Sequence, residues 1–287
     1  MKTTKYFFEF AIIIVLFLIF KIIGYKKASN FGEFIGKKFG PMFRSHKKIL
    51  ENLENSNIGK SEQERNIIIK KMWGNYGRIF AEYIYIKDFR ESNLNDYIEI
   101  EGKEFIEETK KNNKPVIFVS GHFNNFELMA MQIEKSGIEC AAIYRPLNNP
   151  FLNELMEKIR KRDICKIQIK KGRAGTREIL KNLNKGRSIA LMIDQRVREG
   201  EKISFFNNLA STTTIPAQLI KKYNCDVVPI YIERTKKTNF KMYISKPIKI
   251  NKSKSIKDIT SYLNVILEKM ILKNIDQWIW THNRWKV

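Results

Sequence analysis

Pro115-Val-Ile-Phe-Val-Ser-Gly-His-Phe-Asn-Asn-Phe-Glu127 is the stretch on which the fold turns. Its apolar run, Val116–Val119, reads as a buried strand, and Gly121 opens a turn. Asn124 or Asn125 is placed to cap a helix beginning near Phe126. Strand, turn and helix in that order make one half of a β-α-β unit. The pattern continues outward in both directions. Strands are expected at Tyr97–Ile100, Cys140–Tyr144, Ile167–Ile169, Ile189–Ile193, Lys202–Phe206, Val227–Ile232 and Lys241–Ile244. Helices are expected between them, at about 103–111, 126–136, 151–161, 174–185, 213–223 and 256–272. Such alternation predicts an α/β fold, with a mostly parallel or mixed central sheet flanked by helices.

Upstream, residues 31–50 and 62–88 carry helical periodicity and form a helical cap, with Pro41 placed to break the first. Before them, Phe10–Phe20 is uninterrupted apolar sequence within a segment running from Tyr6 to Ile23. As a helix this segment measures roughly 27 Å, near the thickness of a bilayer's hydrocarbon core. No small-residue cleavage site follows it. A basic flank does, through Lys26, Lys27, Lys37, Lys38, Arg44, Lys47 and Lys48. The expectation is a single-pass, uncleaved membrane anchor, with the body in the cytoplasm. The chain divides into an anchor over 1–28, the cap over 29–92 and an α/β domain over 93–287.

The 287 residues carry 53 Lys+Arg against 30 Asp+Glu, a formal charge of +23. That excess favours anionic partners such as acidic lipid headgroups or an acidic carrier protein. Nucleic acid is also anionic, but no nucleic-acid motif or aromatic-basic platform is present. The three cysteines, Cys140, Cys165 and Cys225, are widely spaced and read as reduced, buried thiols.

The chemistry centres on His122 and Glu127. On one helix, residues five apart differ by about 140° in direction, so the two would not meet. His122 therefore belongs to the turn and Glu127 to the first helical turn, from which its carboxylate is expected to reach back to the imidazole. Such a pair suits a general base acting on a hydroxyl, with no protein nucleophile, since no Gly-x-Ser-x-Gly elbow occurs. Arg145 follows a strand end, the usual ligand rim of a parallel sheet, and suits an anionic substrate. Asp194 and Gln195 also end a strand, placed to orient His122 or to line the groove. Asp194 has no second carboxylate or histidine at ligand spacing, so no metal is expected. Lys170, Lys171, Arg173 and Arg177 form a basic cluster that suits phosphate or carboxylate groups. His282 reads as structural.

Gly121-His-Phe-Asn-Asn-Phe-Glu127 resembles the His-x4-Asp/Glu box of the glycerolipid acyltransferase superfamily. Within it, the segment is similar to the Gly-His-Phe-Gly-Asn-Trp-Glu version of the late acyltransferases of lipid A biosynthesis. Further blocks follow in order: Tyr144-Arg-Pro-Leu-Asn-Asn-Pro150, Asp194-Gln195, Phe205–Thr212 and Gln277–Trp285. Asn124 and Phe126 stand where that family has Gly and Trp, and Leu209 where it has Pro. The resemblance implies transfer of a fatty acyl group from acyl carrier protein to a hydroxyl of a lipid A precursor. It implies His122 and Glu127 as catalytic residues; Asn125, Arg145, Asp194, Gln195 and, from the basic cluster, Lys171 and Arg173 are the expected substrate-binding residues. Neither a metal nor a resident cofactor is expected; acyl carrier protein, a lipid A precursor and membrane lipids are the expected partners. Two other readings are acylation of a different glycolipid or lysophospholipid, and a catalytically silent basic protein of the membrane surface.

Overall fold

The computed structural model describes residues 2–286. Five helices come first: α1 (Lys2–Ile23), α2 (Tyr25–Phe39), α3 (His46–Asn55), α4 (Glu62–Glu82) and α5 (Ile86–Arg90). The helix expected over 31–50 is split. Pro41 sits in a 3-10 turn, Gly40–Met42, that separates α2 from α3, because proline lacks the N–H that would continue the ladder. Helix α1 has 22 residues and a mean hydropathy of 2.5, long and apolar enough to cross a membrane.

The α/β part then runs β1 (Ile98–Glu101), α6 (Lys103–Asn112), β2 (Ile117–Ser120), α7 (Glu127–Lys135), β3 (Cys140–Tyr144), α8 (Pro150–Ile159), β4 (Ile167–Lys170), α9 (Arg173–Asn184) and β5 (Ser188–Met192). It continues with β6 (Glu201–Phe205), β7 (Asn208–Thr212), α10 (Ile215–Tyr223), β8 (Val227–Lys236), β9 (Asn239–Ile244) and α11 (Ile256–Lys273). Seven strands make one sheet in the order β1-β9-β8-β2-β5-β3-β4. All neighbours are parallel except β8 and β9, which pair antiparallel. Strand β2 lies in the middle and every residue of it is buried, which is why it reads as a continuous apolar run. The strand expected at Lys202–Phe206 does form, but in a separate hairpin with β7. Polar Asn208, Ser211 and Thr212 concealed β7 from the sequence reading.

Helix α2 is pressed onto α4 along a line of glycines. A Cβ on Gly77 would stand 1.9 Å from the Gly32 carbonyl oxygen, and one on Gly36 would stand 2.1 Å from that of Trp73. Only the absence of side chains allows these backbones to approach so closely. The helical region is joined to the sheet through Glu82, which is fully buried. Its carboxylate accepts from Arg234 at 2.7 and 3.0 Å and from the Ser29 hydroxyl at 2.7 Å. A carboxylate withdrawn from water in this way is tolerable only when so fully paired.

Candidate active site

The sheet's register builds the site. Ser120 of β2 is opposite Met192 of β5, and the Ile193 amide donates to the Ser120 carbonyl at 2.9 Å. Two residues beyond each strand come His122 and Asp194, side by side. One Asp194 oxygen lies 2.8 Å from His122 Nδ1. The other accepts from the His122 amide at 2.8 Å and from Trp278 Nε1 at 2.9 Å. One strand further along, Tyr144 of β3 pairs with Lys170 of β4, so Arg145 and Lys171 leave the sheet together. The Lys171 amide donates to the Tyr144 carbonyl at 2.8 Å. Four strand ends thus converge at the carboxyl edge of the parallel strands, where α/β folds bind ligands.

Asp194 is 1% exposed. Burial works against its charge, yet the His122 imidazole and the hydrogen bonds from His122 and Trp278 hold its carboxyl well below the usual carboxylate range. For His122, burial pushes the pKa down, but the charge and hydrogen bond of Asp194, helped by Glu127, outweigh it and raise it above 6.5. With Nδ1–H donated to an ionised Asp194, Nε2 presents its lone pair outward. The Gln195 amide nitrogen lies 3.3 Å from that Nε2 and 2.9 Å from Nε2 of His282, so one NH2 group can donate to both rings. His282, expected to be structural, lines the same cavity, its ring centroid 6.2 Å from that of His122. Burial drives its pKa down to about 4, so it is neutral at ordinary pH.

The geometry corrects the expected partner of His122. Glu127 does not reach back to the imidazole. Its Oε1 accepts from Arg160 Nε at 2.8 Å and from a terminal guanidinium nitrogen at 2.6 Å. As the first residue of α7, Glu127 faces the π-helical turn Arg160–Ile164, whereas the neighbouring strand delivers Asp194 directly to Nδ1. Glu127 and Arg160 remain on the cavity wall beside His122. Arg160 escaped the sequence reading, since nothing in its local sequence distinguishes it from other arginines.

A second correction concerns Asn125, expected to touch substrate. It is fully buried, its amide directed at Glu82 at 3.4 Å, and it does not line the cavity. Its role here is to join the turn to the helical region. Arg173 is exposed at the start of α9 and likewise lies off the cavity. Arg145, Lys171 and Gln195 do line it, together with Arg44 from the segment before α3. The cavity has a volume of about 460 Å3. Burial, then the nearby Arg145 charge, pushes the Lys171 pKa down. Two cations held together in this way form a place for an anion. Deeper in, the wall turns apolar, with Ala130, Ala142, Ile169, Ile179, Ala190 and Leu191.

A histidine–carboxylate pair at a sheet edge, a cationic rim and an apolar interior define an enzyme-type site for an amphiphilic substrate with an anionic end. The model of the bacterial lipid A biosynthesis acyltransferases matches residues 1–287, and the chain belongs to that family. It is 27% identical to a lipid A biosynthesis acyltransferase of Haemophilus influenzae over 88% of this chain and 83% of that protein. It is 23% identical to the lipid A biosynthesis palmitoleoyltransferase of Escherichia coli, over 88% and 84%. Against the lauroyltransferase of the same organism the identity is 26%, over 85% and 80%.

Proposed function

We propose that this acyltransferase moves a fatty acyl group from acyl carrier protein to a hydroxyl of a lipid A precursor, with His122 as general base. The observation that carries the reading is an imidazole on the cavity wall whose Nδ1 side is fixed by the buried Asp194 carboxylate, which leaves Nε2 to receive a proton. In the proposed reaction, His122 Nε2 takes the proton of the acceptor hydroxyl as that oxygen attacks the thioester carbonyl. The C–S bond breaks, the new ester C–O bond remains, and the imidazolium returns its proton to the departing thiolate. Asp194 stabilises the imidazolium between these steps. Gln195 must release Nε2 for the acceptor to approach. Arg145 and Lys171 hold anionic groups of donor or acceptor, and the Glu127–Arg160 pair keeps the wall beside the base in shape. The catalytic body is placed on the cytoplasmic face of the inner membrane, with α1 as its membrane attachment, in keeping with the basic flank that follows α1.

The test incubates purified protein with acyl-carrier thioesters of several chain lengths and a tetraacylated lipid A precursor, and measures product mass. One added acyl group is the expected result. No addition at any chain length, with lysophospholipid acylated instead, would replace this acceptor by another.

A further inference from the structure

Helix α1 does not stand away from the protein. Near its start, the buried Asn149 amide donates to the Tyr6 carbonyl at 2.8 Å and to Glu9 at 3.2 Å. Phe7 and Phe10 each lie 5.9 Å from the ring of Phe151 in α8. Near its end, Phe17 and Phe20 pack on Phe80 at 5.3 and 6.0 Å. There too the Tyr85 hydroxyl donates to the Phe20 carbonyl, and Lys21 pairs with Asp88 at 2.7 Å. The docked stretch from Tyr6 to Lys21 is roughly 22 Å long. Crossing a hydrocarbon core of about 30 Å in this position would carry α8 into the bilayer too. Yet α8 bears the exposed Glu154–Lys158 pair, whose side chains are 71% and 73% exposed and belong in water.

The outward side of α1 is a stripe of Phe8, Ile12, Val15, Leu18 and Ile22, each more than half exposed. More exposed apolar side chains lie on α2 and the turn beyond, where Phe31, 39% exposed, packs on the docked Phe20 at 6.1 Å. There Phe34 is 57% exposed, Met42 80% and Phe43 75%. Lys26, Lys27, Lys38, Arg44, Lys47 and Lys48 are exposed along the same segment, and Lys38 lies over the rings of Phe34 and Phe39. Apolar side chains bordered by cations match a leaflet with acidic headgroups. Two residues of the cavity wall adjoin this surface in the chain. Arg44 follows Phe43, and Asn148 precedes the Asn149 that holds Tyr6.

We infer that α1 lies flush along the protein and sinks its outward stripe into one leaflet beside Phe34, Met42 and Phe43, so that the cavity opens at the bilayer surface. The acceptor then enters sideways from that leaflet. This inference holds whichever lipid is acylated, so its test is independent of the acyl-transfer assay.

The full chain carrying Thr3→Cys, or Lys185→Cys in the body, is labelled with a membrane-impermeant maleimide in right-side-out and inverted inner-membrane vesicles. The native cysteines are buried. Both positions are expected to label in the same orientation of vesicle; labelling from opposite sides would show that α1 crosses and would overturn the arrangement. Separately, an environment-sensitive fluorophore on Met42→Cys is expected to be quenched several-fold more by spin-labelled lipid than one on Lys185→Cys, in vesicles containing phosphatidylglycerol. Equal quenching would remove the α2 segment from the membrane surface.

Discussion

Asp194 accepts three hydrogen bonds in near-complete burial, and that makes it the residue whose replacement should reveal most about the proposed base. The His122 pKa stands above its ordinary value chiefly because the Asp194 charge overcomes burial. A general base works when neutral, so transfer should fall as pH drops through that raised pKa. Asp194→Asn removes the charge and should move the acidic limb of kcat/KM to lower pH while reducing the plateau by a factor on the order of 100. A limb that stays in place would dissociate His122 from the profile. His122→Ala should lower kcat by on the order of 100-fold or more with donor KM nearly unchanged. Glu127→Ala acts differently. It strands the Arg160 guanidinium in a partly buried wall, a change that costs about 3 kcal/mol in comparable pairs. Thermal melting should register that loss, whereas His122→Ala should melt close to the parent. His282 provides a further contrast: with a pKa near 4, its ring signals should stay still across the pH range in which those of His122 titrate.

At the scale of elements, the α2–α4 contact is the sharpest constraint. Gly77→Ala would drive a methyl into the Gly32 carbonyl, and backbone cannot yield as a flexible side chain does. We expect a loss of roughly 1–3 kcal/mol or more, read from the denaturation midpoint, with lower activity following from the displaced cap. The elements were largely legible in the sequence, because β2, β3, β5 and β8 are short apolar runs between helical periods. The site was legible only in part. His122, Arg145, Lys171, Asp194 and Gln195 each announce themselves at a strand end. Strand order does not, and His122 meets Asp194 only because β5 inserts beside β2. Local reasoning therefore assigned Glu127, five residues away, to the place that Asp194 fills from 72 residues away. Arg160 comes at the end of the helix expected over 151–161 and His282 from the tail, and neither location marks its residue as facing His122.

At the scale of the whole molecule, the charge of +23 should govern encounter with an acidic carrier. The proposed transfer from acyl carrier protein should slow several-fold as salt rises from roughly 50 to 500 mM, since screening shortens the reach of surface charge. A small neutral thioester donor should show little such dependence. Equal salt sensitivity for both donors would assign the effect to the lipid surface instead.

The opposition of Ser120 and Met192 has one more consequence. A slip of one residue between these strands would turn every side chain to the other face of the sheet and part His122 from Asp194. Turnover is thus a readout of pairing register itself. A preparation can hold normal helix content and normal size and still be silent, and its specific activity counts the molecules whose central strands have aligned.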